Sequence, residues 1–143
     1  MASITTNAAK VSLAKAEINW VSDTVRAVLL TNSYVPDKDS DEFWSAISAN
    51  EFVGGSYPAG GVSLTAKAVT KDNTNDRAIL SSANVQFTGV TGTFRYVALL
   101  DWTGTPATTR IIRVIDPEGA TITLTNGTYD MTVPVGGWIS LQD

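Results

Sequence analysis

Three aspartates, Asp37, Asp39 and Asp41, alternate along a short acidic stretch of this chain. Alternating carboxylates in a turn are typical of the start of a calcium-binding loop, because their oxygens can converge on a hard cation. The rest of the EF-hand pattern is absent, since its sixth position requires glycine and is Glu42, and its twelfth requires glutamate and is Ser48. The sequence therefore favours a solvated acidic loop at a helix start over a calcium site, and calcium titration distinguishes the two.

A second set of carboxylates, Asp101, Asp116 and Glu118, lies near the predicted ends of strands. Two carboxylates on either side of a bound sugar would suit glycoside hydrolysis. Each of these residues is explained more simply as a turn former, and the chain has neither histidine nor cysteine for acid/base or nucleophilic work. We predict no enzymatic activity, no catalytic residues and no cofactor.

Aromatic side chains could also form a binding surface, since tryptophan and tyrosine rings stack on sugars and anchor protein interfaces. Tyr57 is the only large side chain in a glycine-rich loop, and Trp102 lies in a polar turn. Those two residues are expected to be exposed. Together with Trp20 and Tyr34 they are the candidate interface residues.

The charge of the chain limits its partners. Of 143 residues, 17% are charged and the net charge is −4. A nucleic-acid binder needs a basic face, and the ten lysines and arginines are scattered, so nucleic acid is not an expected partner. The start of the chain lacks the pattern of a secretory signal, and its apolar runs are too short to span a membrane. We expect a protein that is made in a cytoplasm and does not bind membranes.

Short apolar runs separated by turn residues at roughly ten-residue spacing predict an all-β fold. The predicted strands are residues 25–30, 62–69, 78–80, 85–88, 93–100, 110–115, 121–124, 128–133 and 139–141. The strand at 93–100 has apolar residues on both faces and is expected to be central, with Phe94, Tyr96, Ala98 and Leu100 on one side. Residues 73–76 predict a turn, and Asn126-Gly127 predicts a hairpin turn.

Two segments have helical character. Residues 41–49 are predicted to form a short helix, with Ser40 as its N-cap. Residues 1–20 are predicted to be an N-terminal arm or short helix, in which residues 2–7 become ordered only on contact with a partner. The remainder, residues 21–143, is predicted to be one antiparallel sandwich of jelly-roll type.

Several segments together resemble a family of small tailed-bacteriophage virion proteins that are encoded beside capsid genes. The resemblance covers about residues 14–141. The segments that carry it are residues 18–20, 23–31, 34–37, 41–43, 57–61 with Leu64, 72–78, 94–100 and 104–108. None of them is a catalytic motif. The resemblance implies a structural protein of the virion, most specifically a head decoration (cement) protein on the capsid exterior that binds the major capsid protein.

Decoration proteins act by covering junctions between capsid subunits, which requires interface area and no cofactor. A homo-oligomer is expected, with a trimer favoured because capsid lattices offer three-fold positions. A tail, baseplate or fibre component is the alternative within the same class. A carbohydrate-binding module that uses Tyr57 and Trp102 is the alternative from another class.

Overall fold

The structure is a computed structural model that describes residues 3–143. It is 41% strand and 10% helical, which confirms the all-β sandwich. The ten strands, β1 to β10 in chain order, are Ile4–Thr5, Val25–Leu30, Val62–Ser63, Ala68–Asp72, Arg77–Ser81, Val85–Phe94, Tyr96–Asp101, Arg110–Ile115, Ile122–Met131 and Ile139–Gln142. One α-helix, α1, spans Asn7–Ala14 within the described residues.

The strands form three antiparallel sheets. A five-stranded sheet has the order β1-β8-β7-β2-β3, a three-stranded sheet has the order β10-β5-β4, and β6 pairs with β9 in a two-stranded ribbon. The ribbon and the three-stranded sheet pack against one face of the five-stranded sheet. Side chains from all three sheets fill the apolar core between these layers, including Leu29, Leu80, Phe87, Phe94 and Ile112.

Strand β7 lies in the middle of the five-stranded sheet, as predicted, and all six of its residues are buried. Val97 and Leu99 point into the core between the layers. Tyr96, Ala98 and Leu100 point to the opposite face, where a second apolar cluster lies. The prediction that Phe94 shares the face of Tyr96 is wrong, because the chain leaves the ribbon at Arg95 and Phe94 packs into the first core.

The second apolar cluster is covered by the segment between β2 and β3, through Tyr34, Trp44 and Ile47. The helix predicted at 41–49 is wrong, since this segment forms only two 3₁₀ turns, Trp44–Ala46 and Ser48–Asn50. The carbonyl of Glu42 accepts a hydrogen bond of 2.9 Å from the backbone N–H of Ile111. This bond holds the segment extended along β8, so the chain cannot begin an α-helix there.

The N-terminal segment is docked on the domain itself. Ile4 and Thr5 pair with β8, and the hydroxyl of Thr6 donates to the carbonyl of Ile111 at 2.8 Å. The same hydroxyl accepts a hydrogen bond from the backbone of Ala9 at 3.0 Å, which caps α1. The expectation that residues 2–7 wait for a partner is therefore wrong for residues 3–7, and Ala2 lies outside the described residues.

The four residues 73–76 form the predicted turn between β4 and β5. The turn predicted at Asn126-Gly127 is wrong, because these residues lie within the long strand β9. The pairing of β9 with β6 shifts its register there, and Asn126 has a φ of 45°. The Asn-Gly pair supplies the left-handed backbone that a β-bulge needs, which is the same property that favours it in hairpin turns.

Candidate interaction surface

Tyr57 is buried, at 9% exposure, so the expectation that it is exposed is wrong. Its hydroxyl donates to a carboxylate oxygen of Glu51 at 2.9 Å and accepts the backbone N–H of Leu29 at 3.0 Å. Burial and the nearby charge of Glu51 raise the pKa of Tyr57 well above its usual value. The ring therefore supports the central sheet and cannot act as an external anchor in this structure.

Trp20 and Tyr34 are also buried in the chain itself, at 2% and 4% exposure. The indole N–H of Trp20 donates to the carbonyl of Ser81 at 2.9 Å. The hydroxyl of Tyr34 donates to the carboxylate of Asp41, and burial with this bond raises the pKa of Tyr34 above its usual value. Neither side chain is presented to a partner.

Trp102 is partly buried against the second apolar cluster, so it is less exposed than expected, but it is the least buried of the four candidate interface residues. The guanidinium of Arg26 lies 4.9 Å from the centre of its ring, and Gly60 lies against the ring edge. Because Tyr57 is buried, Trp102 has no second ring beside it to complete the sugar-stacking pair that the sequence suggested.

The acidic loop uses its carboxylates internally. Asp37 accepts hydrogen bonds from the backbone of Asp39 and Ser40, and these bonds lower the pKa of Asp37. Asp39 accepts from the side-chain amide of Asn7 at 2.7 Å, and Asp41 accepts from the backbone of Asp37 at 2.9 Å. The carboxylates point in different directions, and residues 3–143 contain no group of three or more acidic side chains that could hold a metal.

The carboxylates considered for hydrolysis lie at opposite ends of the domain. Asp101 ends β7 beside Arg110, whereas Asp116 follows β8 at its other end and pairs with Arg95 at 3.1 Å. The six residues of β7 separate the two ends by about 17 Å. This exceeds the distance between the two catalytic carboxyl groups in both retaining and inverting glycosidases. Asp101 and Asp116 therefore do not form an acid/base pair.

The pKa of Asp101 gives a prediction for stability. Burial and the charge of Asp23 raise this pKa above its ordinary value of 3.8, and Arg110 and Lys67 oppose the shift. Because the folded state favours the protonated carboxyl, protonation of Asp101 stabilises the fold below pH 3.8. This contribution is lost as the pH rises through the pKa of the folded state. We therefore expect the free energy of unfolding of Asp101→Asn, taken relative to that of the parent, to be higher at neutral pH than below pH 3.8.

Urea unfolding of both proteins below pH 3.8 and at neutral pH measures this effect. Any effect of the amide on stability that does not depend on pH cancels when the stability differences between variant and parent at the two pH values are compared. A stability difference that does not change with pH, or that changes in the opposite direction, would contradict the assignment.

The outer face of the β6–β9 ribbon is formed by the two longest strands of the described residues. We define the threonine face as the outward, exposed residues Gln86, Thr88, Thr93, Thr123, Thr125, Thr128 and Asp130. The alternate residues of both strands, such as Phe87 and Tyr129, point into the core. Asp130 carries the only formal charge on this face.

Cross-strand contacts order the threonine face. The hydroxyls of Thr93 and Thr123 lie 2.8 Å apart, and the amide of Gln86 donates to Asp130 at 2.7 Å. Threonine is β-branched and has few rotamers, so little side-chain entropy is lost when it contacts another surface. The face contains no lysine or arginine that a partner would have to desolvate. It is suited to close contact with another protein.

The threonine face has a pattern in the sequence, an alternation of threonines, that could have predicted it. The alternation of Thr121, Thr123 and Thr125 places three hydroxyls on one side of a strand. The candidate interface residues were chosen among the aromatic side chains instead, because large rings dominate known interfaces.

The fold defines the class of the protein as an antiparallel β-sandwich domain with one extended polar face. No protein-family model matches the chain, and no curated protein or solved structure matches it either. Within residues 3–143, every helix is too short or too polar to cross a membrane.

Proposed function

We propose that this chain is a structural protein of a tailed-phage virion, and within that class a capsid decoration protein that binds the major capsid protein on the outside of the head. The threonine face is the observation that carries the proposal. It is ordered by cross-strand hydrogen bonds and almost uncharged, and charged residues are depleted at the cores of protein interfaces. The sequence resemblance to small phage virion proteins supports the same role.

The size of the threonine face indicates how such a protein would bind. Two strands of ten residues cover about 30 Å by 10 Å, or about 300 Å². A stable interface buries about 800 Å² on each partner, so one face alone would bind weakly. A homo-oligomer, with a trimer favoured at a three-fold position, would present several faces at once and convert weak contacts into stable attachment.

The test uses heads assembled without this chain from the genome that encodes it. Purified protein is mixed with these heads, and the bound fraction is measured by co-sedimentation. We expect saturable binding, and we expect the double variant Thr88→Arg/Thr123→Arg to bind at least about ten-fold more weakly, because burying an unpaired charge costs more than about 1.4 kcal/mol. Thr74→Arg, which adds a charge in the exposed turn between β4 and β5, is the matched control and should bind as the parent does.

Two results would overturn the proposal. The first is a parent protein that does not bind the heads, and the second is a double variant that binds as tightly as the parent. An antibody to this chain, imaged on virions by negative stain, separates the head from the tail. Label on the tail or baseplate would replace the decoration role with the other structural one.

A further inference from the structure

The outer edge of β9 is free within the described part of the chain. Strand β9 pairs only with β6, and none of its backbone groups bonds to another strand. The outer edge of β6 is different, since the carbonyl of Gly89 accepts the backbone N–H of Ser56 at 2.7 Å. A ten-residue edge with unpaired donors and acceptors is a template for pairing with another chain.

The inward side chains of the ribbon are less buried on β9 than on β6. On β6, Phe87 and Phe94 are at most 1% exposed. On β9, Ile122, Leu124 and Tyr129 pack against the same core but are only partly buried. A strand added beside the part of β9 that follows the bulge would extend the inward face and cover Tyr129.

Strand β9 carries only one of the usual protections of an exposed edge, a β-bulge. Such edges commonly carry lysine or proline, and β9 contains neither. Its one irregularity is the bulge at Asn126, which divides it into residues 122–125 and 127–131. Since the bulge lies near the middle of β9, two copies of β9 cannot pair along their whole length about a two-fold axis.

The chain contains a second free edge that matches one of these halves. Within residues 3–143, β4 pairs only with β5. It has five residues, of which 68–71 can lie opposite residues 127–130, and Lys71 is the one lysine that this edge carries. Val69 of β4 lies opposite Leu80 on the inward face of its sheet, but it is 50% exposed. Both edges therefore have an inward side chain that an added strand would cover.

We propose that residues 127–130 of β9 pair antiparallel with residues 68–71 of β4 in a second copy, with Thr128 opposite Thr70 and Tyr129 opposite Val69. This register places threonine beside threonine on the outer face and an aromatic ring beside a β-branched side chain on the inner face, both of which are favourable cross-strand pairs. It also places Asp130 opposite Ala68, away from the carboxylate of Asp72.

Because the two edges differ, the contact is head-to-tail, and every copy has one edge of each kind to offer. Such contacts form rings when the rotation closes. The inference deepens the proposed function, and it rests on that function for the advantage that a copy gains from association: joined copies would present several threonine faces to one lattice.

The test exploits the absence of cysteine from the chain. The double variant Thr70→Cys/Thr128→Cys is treated with a short bis-maleimide and analysed on a denaturing gel. Opposite Cβ atoms in an antiparallel pair lie about 4.5–5.5 Å apart, within reach of this reagent. We expect covalent multimers to form at least about ten-fold faster than in Thr70→Cys/Thr88→Cys, in which the second cysteine lies one strand inside the edge.

The single variants decide between modes of pairing. Neither Thr70→Cys nor Thr128→Cys alone should cross-link, whereas an equal mixture of the two should give a covalent dimer and nothing larger. Cross-linking of Thr70→Cys alone would show that β4 pairs with itself, and cross-linking of Thr128→Cys alone would show the same for β9. Either result, or a double variant no faster than its control, would overturn the inference.

All three threonines are exposed, so the variants should fold, and their urea unfolding midpoints verify this. The result is independent of the head-binding test. Protein that binds heads without cross-linking would support the proposed function and contradict the strand pairing. Protein that cross-links without binding heads would support the strand pairing and contradict the proposed function.

Discussion

Replacing Phe94 with alanine is expected to reduce the free energy of unfolding by about 3–5 kcal/mol. Phe94 is fully buried, and its ring centre lies 5.0 Å from that of Tyr129 and 5.9 Å from that of Phe52. Truncation would remove the apolar surface of the ring and leave a cavity that these neighbours cannot fill. Because domains are stable by only about 5–15 kcal/mol, this loss is a large part of the total.

Urea unfolding followed by tryptophan fluorescence measures the effect, with the denaturant slope checked for two-state behaviour. Thr88→Ala, on the outer face of the same strand, is the matched control and should change stability by less than about 0.5 kcal/mol. A loss below about 1 kcal/mol for Phe94→Ala would mean that the ring does not join the ribbon to the central sheet.

Replacing Gly61 with alanine is expected to be similarly damaging. Gly61 has a φ of 68°, and a Cβ atom at this position would overlap the carbonyl oxygen of Ala27 and lie 2.8 Å from a side-chain carbon of Val28. The left-handed conformation alone costs an alanine about 1–2 kcal/mol. The overlap adds to this cost, because β2 lies in the interior of the five-stranded sheet and cannot move away.

Gly104→Ala separates these two contributions. Gly104 also has a positive φ, 86°, but nothing lies within 4 Å of a Cβ atom there. We expect it to lose only the conformational cost of about 1–2 kcal/mol, and Gly61→Ala to lose at least about 1 kcal/mol more. Equal losses in urea unfolding would show that the glycine-rich loop does not press against β2.

The strands were predictable where burial on both faces leaves a continuous apolar run. Residues 25–30 and 110–115 were predicted with the bounds that the structure shows. The faces of β8 were not predictable, because a bulge opposite Leu99 and Leu100 interrupts the alternation: Ile112 and Val114, which are two residues apart, lie in different clusters. Bulges depend on the partner strand, which a local pattern does not contain.

The interface residues were harder to predict than the strands. Tyr57 follows two glycines, a context that is typical of exposed loops, yet the glycines allow the loop to fold inward and deliver the ring to the backbone of Leu29. A tertiary contact thus overrode the local pattern. The threonine face belongs to β6 and β9, which are separated by more than twenty-five residues, so only the pairing of these strands brings its members together.

The docked N-terminal segment has a consequence for the order in which the protein is made. Ile4 pairs with Val114, so more than a hundred further residues must be synthesised after β1 before its partner strand exists. Contacts of such long sequence separation are slow to form and leave intermediates exposed. The five-stranded sheet therefore closes at its β1 edge only after β8 has been synthesised, and helix α1, whose cap residue Thr6 bonds to Ile111, cannot reach its final position before then.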